Sequence, residues 1–380
     1  MAVNLFPPPM FEDAVLTGLR REVREFVTRE IESGAFRPAV DSWMTGWDRE
    51  FTLRLAARGW LGMTIPVEYG GHGRSYLERF VVTEELLAAG APVTAHWFAD
   101  RQVAPALVRF GTEEQRRELL PRIAAGTALF AIGMSEPDSG SDLAAVRTRA
   151  TRTDGGWRVE GTKLWTSNAH RSDYAICLVR TTPLDPEHRH SGLSQLIVDL
   201  RAEGVEIRPI VSLNGEHHFN EVHFGGVHVP DSMVLGEVGN GWRQVTAELA
   251  FERSGPERFL SVQPLLEELV AATRAGELPA GADLGRFFAR MIGLHQMSIS
   301  VAGALQRGEA ADVAAGVVKH LGTVTEGDLT EHAAGLLGNP ASPGLRAAAE
   351  RSLLARPGYT LRGGTNEILR GVIARGLGLR

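Results

Sequence analysis

The stretch Gly133-Met-Ser-Glu-Pro-Asp-Ser-Gly-Ser-Asp142 directly follows an apolar run, residues 128–132, that is typical of a β-strand. It concentrates turn-forming residues, small residues and hydroxyl groups. Gly140 has no Cβ and Ser141 offers an N–H and a hydroxyl, so this loop can cradle an anionic group such as a pyrophosphate. A plain β-turn, with Asp142 bonded to nearby amides, explains the same residues equally well.

The hydrophobic period changes on either side of this loop. Before it, apolar residues at three- and four-residue spacing predict helices over residues 11–32, 76–89, 94–110 and 113–125. Thr112 and Gln115 form a capping-box pattern at the start of the last of these helices. After the loop, short runs predict strands over residues 156–160, 174–179, 195–200 and 205–210. The helical period then returns over residues 263–273, 284–306, 311–337 and 364–377, which predicts a mainly α chain with a central β domain.

Composition narrows the class of protein. The chain has 380 residues, 43% of them hydrophobic, which predicts a sizeable core and two or three domains. The net charge is -6, and Lys163 and Lys319 are the only lysines, so the arginine bias indicates a GC-rich genome rather than a nucleic-acid surface. Neither a signal peptide nor an apolar run of membrane-spanning length is evident. We therefore expect a cytoplasmic location, with no membrane or nucleic-acid partner.

The sequence predicts no metal site and no disulfide. Cys177 is the only cysteine and has the setting of a buried strand residue. His217, Glu221 and His223 share one face of a predicted strand, but they match no known ligand motif, and solvated residues on a strand face are commoner than ligands. Residues 183–191 are predicted to form an exposed loop whose histidines have no evident partners.

A second motif, Gly161-Thr-Lys-Leu-Trp-Thr-Ser-Asn-Ala169, follows the first after one predicted hairpin. With the two motifs together, the sequence resembles the acyl-CoA dehydrogenases, the FAD-dependent family that desaturates acyl-CoA thioesters. The resemblance extends along almost the whole chain and includes the segments Gly62-Met-Thr-Ile-Pro-Val-Glu-Tyr-Gly-Gly-His-Gly73, Phe110-Gly-Thr-Glu-Glu-Gln115, Val229-Pro-Asp231 and Gly363-Gly-Thr-Asn-Glu-Ile-Leu-Arg370.

The resemblance implies three domains: an N-terminal helical domain (1–127), a middle β-barrel domain (128–236) and a C-terminal four-helix bundle (237–380). It also implies an FAD site. Met134 and Ser135 would meet the flavin ring, and Gly140 and Ser141 would lie near the FAD phosphate and the substrate. Trp165 would pack against the ring and Ser167 would bond near its reactive nitrogen, while Thr365 and Glu367 match further FAD contacts.

The reaction needs a base for the α-proton and donors for the thioester oxygen, where negative charge builds. Many members of the family have a glutamate base where this chain has Gly363, whose backbone N–H would still hold the thioester oxygen. A smaller group, similar to isovaleryl-CoA and long-chain dehydrogenases, has the base in a Leu-x-x-Glu-Arg pattern, which matches Leu249-Ala-Phe-Glu-Arg253. We therefore predict Glu252 as the base, on one helical stripe with Val245 and Leu249, and Arg253 near the substrate.

The resemblance implies an acyl-CoA or acyl-carrier thioester as substrate and an electron-transfer flavoprotein or similar acceptor. It also implies a homodimer, a homotetramer or a hetero-oligomer. An Arg-x-x-Phe-Gly segment that reaches a neighbouring subunit's FAD in this family is lacking in residues 255–262, and a later Gln-x-x-Gly-Gly pattern is reduced in residues 334–338. Two alternatives stay open: an oxidase or monooxygenase on the same fold, and a noncatalytic subunit of a hetero-oligomeric dehydrogenase.

Overall fold

A computed structural model describes residues 5–7, 13–253, 255–279, 281–338 and 341–379, without the side chains of residues 248–252. The chain forms two compact units. The sheet unit consists of Asp48–Arg74 and Ala95–Leu249. The bundle unit consists of Met1–Trp47, Ser75–Thr94 and Ala250–Arg380. Each unit is therefore assembled from segments that are far apart in the sequence.

The order of elements is helical, then β, then helical, as predicted. The helices are α1 (Ala14–Glu32), α2 (Ser42–Thr45), α3 (Arg49–Ala57), α4 (Tyr76–Ala88), α5 (Thr94–Phe98), α6 (Ala104–Phe110), α7 (Glu113–Ala124), α8 (Gly241–Arg253), α9 (Gln263–Arg274), α10 (Ala282–Gln306), α11 (Asp312–Leu336), α12 (Pro343–Leu361) and α13 (Asn366–Gly376). The strands are β1 (Phe130–Gly133), β2 (Arg149–Thr153), β3 (Gly156–Lys163), β4 (Tyr174–Arg180), β5 (Leu193–Asp199), β6 (Val205–Val211), β7 (His217–Pro230) and β8 (Val234–Leu235).

Local side-chain caps determine where several helices begin. The predicted capping box at α7 is confirmed, because Thr112 Oγ1 accepts from Gln115 N at 3.2 Å and Gln115 Oε1 accepts from Thr112 N at 3.1 Å. Ser75 and Glu78 make the same reciprocal pair at α4. Each box satisfies two backbone donors that a helix N-terminus otherwise leaves unpaired.

The sheet unit is built around an eight-stranded sheet. Its strand order is β6-β7-β3-β2-β4-β5-β8, and β1 pairs in parallel with β4. The register places Gly133, the last residue of β1, opposite Cys177 in β4. A Cβ at Gly133 would lie 2.8 Å from Cys177 Sγ, so any side chain there would displace Cys177 from its buried position. The β1–β2 and β3–β4 connections contain the two motifs that the sequence singled out.

The bundle unit packs α9 to α13 on one another, with α11 in contact with each of the other four helices. Small residues of α11 such as Ala314, Ala315 and Val318 are buried in its core. In the same unit, α4 packs against α1 and α10. In the described part of the chain, no helix combines the length and apolar character needed to cross a membrane.

Some elements differ from the prediction. The helix α12 was not predicted, because proline and glycine residues at 343, 344, 357 and 358 hide its period, yet Ser342 caps it by accepting from Leu345 N. The helix α3 and the strands β2 and β8 were not predicted either. The predicted helix 94–110 contains a π-helical turn, Ala99–Val103, between α5 and α6.

Candidate active site

The loop between β1 and β2 is a folded turn. Glu136 N donates to Ser139 O at 2.8 Å and Ser139 N donates back to Glu136 O at 3.1 Å. Ser139 Oγ donates to Asp142 O at 2.6 Å, and the Asp142 carboxylate pairs with the Arg189 guanidinium at 2.5 Å. Gly140 and Ser141 remain exposed at the tip. The predicted turn is therefore confirmed, although the Asp142 carboxylate pairs with Arg189 and does not cap the amides that follow it. The hydrogen bonds of the turn leave its tip open.

A buried ion pair joins this loop to the second motif. Lys163 Nζ donates to Glu136 Oε1 at 2.7 Å and to Met134 O at 3.1 Å, and neither charged side chain is more than 6% exposed. Glu136 also accepts from the backbone N–H groups of Arg147 and Thr148. Burial raises the pKa of Glu136, but Lys163 and these donors outweigh it and hold the pKa below its ordinary value. Glu136 is thus ionised at neutral pH and fixes the loop on β3.

The chain after β3 has an unusual backbone. Trp165 and Asn168 have φ values of 58° and 55°, in the left-handed region that bulky side chains rarely adopt. Trp165 is 55% exposed and its ring meets Phe219 edge-on at 5.5 Å between centroids. Ser167 is nearly buried. The fold therefore presents a large aromatic ring to solvent beside a shielded hydroxyl.

These residues fit a flavin. An added Cβ at Gly140 would meet nothing within 4 Å, so the space above the loop is open. Among the described residues, the buried hydroxyl oxygen of Thr166 finds no hydrogen-bond partner. An exposed indole ring beside an open backbone turn can receive a flat aromatic ring together with an anionic group. The predicted contacts Met134, Ser135, Gly140, Ser141, Trp165 and Ser167 all belong to the two connections that the Glu136–Lys163 pair joins.

The other predicted residues lie in the bundle unit, on the turn between α12 and α13. Gly363 and Gly364 have φ values of 70° and 85°. Arg253 Nε donates to Gly363 O at 3.2 Å. Thr365 caps α13 by accepting from Ile368 N at 3.3 Å, and Glu367 is exposed in the first turn of that helix. The structure therefore brings together Arg253 and Gly363, which are distant in sequence.

A second arginine, which the sequence analysis missed, lies against Gly363. Arg258 is 2% exposed, and a Cβ built on Gly363 would lie 3.0 Å from both terminal nitrogens of its guanidinium. The positive φ adds strain for any side chain at this position. Gly363 therefore suits this turn, and a side chain at this position would be strained and would displace the Arg258 guanidinium.

Behind this turn lies a buried network of charges. Arg362 donates to Asp41 Oδ1 at 2.6 Å and to Ser261 Oγ at 3.0 Å, and its guanidinium lies 4.4 Å from the centre of the Trp43 ring. Glu326, with no exposed surface, accepts from Ser261 N at 2.9 Å. Burial raises the pKa of Glu326 to about 7, although Arg362 opposes the rise. This network fixes the residue directly before Gly363.

Both lysines of the chain hold predicted site segments. Lys163 bonds Met134 O, as described above, and Lys319 Nζ donates to Gly364 O and to Asn366 Oδ1, each at 2.8 Å. Both lysines are completely buried. Their rarity among many arginines was the sequence signal that could have identified them, because a compact ammonium fits where a planar guanidinium does not.

The predicted base Glu252 belongs to α8, but its side chain lies outside the described residues, as does that of Leu249. Val245, earlier on the same helix, is 3% exposed and packs with Met134, Leu178 and Leu193. The helix α8 is therefore buried at Val245, and the stripe through Leu249 and Glu252 stays a prediction.

The loop 183–191 has partners that the sequence did not indicate. His190 stacks on Trp242 at 4.0 Å between ring centroids, and His188 bonds Asp185. The residues considered as metal ligands have protein partners too, since His217 bonds Asn220, His223 bonds Thr162, and Glu221 pairs with Arg208. In the part of the chain that the structure describes, no cluster of three metal-ligating side chains occurs.

Comparison with known proteins identifies the family. The model of the acyl-CoA dehydrogenase N-terminal domain matches residues 16–127, and that of the acyl-CoA dehydrogenase middle domain matches residues 131–227. The chain therefore belongs to the acyl-CoA dehydrogenase family. Acyl-CoA dehydrogenase IpdE1 of Mycobacterium tuberculosis is 37% identical to it over 342 residues, which cover 87% of this chain and 88% of that protein.

Solved structures agree with this family. The Tcur3481-Tcur3483 steroid ACAD has a TM-score of 0.86 and 34% identity, covering 97% of this chain and 99% of its own. The ChsE4-ChsE5 complex from Mycobacterium tuberculosis has a TM-score of 0.82 and 32% identity, covering 98% and 99%. The predicted family, fold and acyl-CoA dehydrogenase class of activity are confirmed by these comparisons.

Proposed function

We propose that this chain binds FAD and dehydrogenates an acyl-CoA thioester, with Glu252 as the base. Bound FAD would supply the acceptor for the hydride that leaves the β-carbon. The residues that would hold it are Met134, Ser135, Gly140, Ser141, Trp165 and Ser167, and Thr365 and Glu367 are the further predicted FAD contacts. The three predicted domains, 1–127, 128–236 and 237–380, belong to the same proposal.

One observation carries the choice of base. Gly363 stands where many members of the family have a glutamate, and it has no side chain that could accept a proton. The guanidinium of Arg258 and a φ of 70° make any side chain there strained. The α-proton must then pass to a carboxylate elsewhere, and Glu252 is the glutamate in the matching Leu-x-x-Glu-Arg pattern. The backbone N–H of Gly363 would donate to the thioester oxygen, where charge builds as the proton leaves. Arg253, which bonds Gly363 O, would hold this turn beside the substrate.

The substrate class that we would test first is a steroid-derived acyl-CoA. The support is the Tcur3481-Tcur3483 relative, which is described as a steroid ACAD and covers 97% of this chain at 34% identity. Two of the similar solved structures are named as pairs of proteins, Tcur3481-Tcur3483 and ChsE4-ChsE5. We therefore also propose that this chain functions in a hetero-oligomer, with an electron-transfer flavoprotein or a similar protein as acceptor.

Flavin bleaching tests the proposal. Purified protein should show the absorbance of bound FAD, and anaerobic addition of the right acyl thioester should bleach it. Glu252→Gln should keep FAD and no longer bleach, whereas Glu237→Gln, an exposed position before α8, should bleach like the unaltered protein. Retained bleaching in Glu252→Gln would reject the assignment of the base.

The comparison of electron acceptors separates the rival activities. Turnover with an artificial electron acceptor but not with air supports a dehydrogenase, and turnover with air supports an oxidase or monooxygenase. A chain that carries no FAD, alone or with its partner, would support a noncatalytic subunit.

A further inference from the structure

One buried asparagine, Asn220, forms hydrogen bonds with the second motif and with two histidines. Asn220, on β7, has no exposed surface. Its side-chain nitrogen donates to Thr166 O at 2.9 Å. Its side-chain oxygen faces two ring nitrogens, His170 Nδ1 at 3.1 Å and His217 Nε2 at 2.8 Å. An amide oxygen only accepts, so both histidines must carry hydrogen on these nitrogens.

The two histidines form a stacked pair. Their ring centroids are 4.0 Å apart and the rings are inclined by 18°. Burial, followed by the charges of His217 and Arg171, lowers the pKa of His170 to about 4. His170 is therefore neutral at physiological pH and donates from Nδ1 alone. The pair and Asn220 form one cluster, which we name the Asn220 cluster.

The Asn220 cluster holds the strained backbone in place. Thr166 N donates to Asn220 O at 3.0 Å, and Asn168 N donates to His218 O at 2.7 Å. Of the two left-handed residues in this connection, Trp165 directly precedes Thr166 and Asn168 is itself bonded to β7. Left-handed backbone at a bulky residue costs free energy and persists only where its surroundings determine it fully. The hydrogen bonds from β7 hold the backbone of this segment in that conformation.

We propose that Asn220, His170 and His217 are positioning residues that hold Trp165 and Ser167 in the orientation that receives the flavin ring. The proposal rests on the FAD site of the proposed function. The cluster acts through the backbone at Thr166, because Asn220 bonds that residue from its side chain and from its main chain. Loss of a donor in the cluster should therefore change the environment of Trp165 and the binding of FAD together.

Two substitutions at one position separate hydrogen bonding from packing. His217→Gln keeps an N–H donor for Asn220, whereas His217→Phe keeps a ring for the stack and removes the donor. His217→Phe removes one of the two donors to the buried side-chain oxygen of Asn220 and leaves His170 as the other. We expect this loss to weaken FAD binding by about tenfold and to alter the visible circular dichroism of the flavin. His217→Gln should bind FAD within about threefold of the unaltered protein. Glu221→Gln, on the same strand but paired with Arg208, is the matched control and should change neither measurement.

A second measurement needs no flavin. The emission of Trp165 in the apoprotein is the difference between each protein and its Trp165→Phe counterpart, and acrylamide quenching of that emission reports the exposure of the ring. We expect quenching to change in His217→Phe and to stay unaltered in His217→Gln. Equal effects of the two substitutions, or unchanged quenching and FAD binding in both, would overturn the proposal. If the unaltered protein binds no FAD, the proposed function fails, and the quenching result alone decides whether the cluster positions Trp165.

Discussion

The ammonium nitrogen of Lys163 lies 2.7 Å from Oε1 of Glu136, and the two side chains are almost completely buried. The pair connects the loop after β1 with the end of β3, 27 residues apart in sequence. A buried pair of this kind contributes little over an apolar pair, but loss of one partner leaves an uncompensated charge. Three consequences of such buried contacts can be measured.

The first prediction concerns this ion pair. Glu136→Gln leaves Lys163 buried without a countercharge and should lower the free energy of unfolding by about 3–5 kcal/mol, measured by urea denaturation. The double variant Glu136→Gln/Lys163→Met should be less destabilised than the sum of the single variants, by about 1–3 kcal/mol. Glu160→Gln, which breaks the exposed Arg149–Glu160 pair, is the control and should change stability little. Additive single effects would show that the two charges are not coupled.

The second prediction concerns Gly363. Gly363→Ala places a Cβ at φ 70° and 3.0 Å from the Arg258 guanidinium. Gly308→Ala has the same backbone problem, with a φ of 71°, but its Cβ would meet nothing within 4 Å. The strain alone should cost about 1 kcal/mol in both variants, and Gly363→Ala should lose more because Arg258 must move. Equal losses in chemical denaturation would contradict a tight contact with Arg258.

The third prediction concerns pH. The pKa of Glu326 is raised to about 7 in the folded protein, above its ordinary value of 4.5, so the folded state binds more protons than the unfolded state between these values. The contribution of Glu326 to the free energy of unfolding therefore decreases as pH rises from 4.5 to 7. It stays at its lowest value above pH 7. Glu326→Gln should gain stability relative to the unaltered protein by up to about 3 kcal/mol between pH 4.5 and pH 8.

Urea denaturation of both proteins at several pH values tests this third prediction, because the difference between them cancels the other titrating groups. Glu267→Gln, at an exposed carboxyl of the same unit whose pKa burial also raises, is the comparison variant and should show a smaller pH-dependent gain. A difference in stability between Glu326→Gln and the unaltered protein that does not vary with pH would show that Glu326 titrates normally.

Elements with a clear local signal were predictable. The capping box of α7 needs only Thr112 and Gln115, three residues apart, and the structure has both of its hydrogen bonds. The helix α12 was missed because its prolines and glycines oppose helix formation, and it forms by packing its buried residues, such as Leu345 and Tyr359, within the bundle unit. Tertiary contacts overrode local propensity there.

In the site, too, local features were predictable from the sequence and long-range contacts were not. The two motifs and the family were evident from short stretches of sequence, and the loop 133–142 is a turn whose residue types predict it. The Asn220 cluster was not predictable, because Asn220 meets Thr166 across 54 residues and His170 across 50. His217 was noted only as a possible metal ligand, since its stacking on the distant His170 depends on tertiary packing.

The sequence by itself determined the family, the motifs at 133–142 and 161–169 and the lack of a side chain at Gly363, because each depends on residues that lie next to one another in the chain. Only the tertiary structure decided that Lys163 neutralises Glu136, that Arg258 fills the space beside Gly363 and that Glu326 is buried. The physical reason is that desolvation and charge pairing depend on which distant segments pack together. The energetic role of a charged residue is therefore set by its neighbours in the fold.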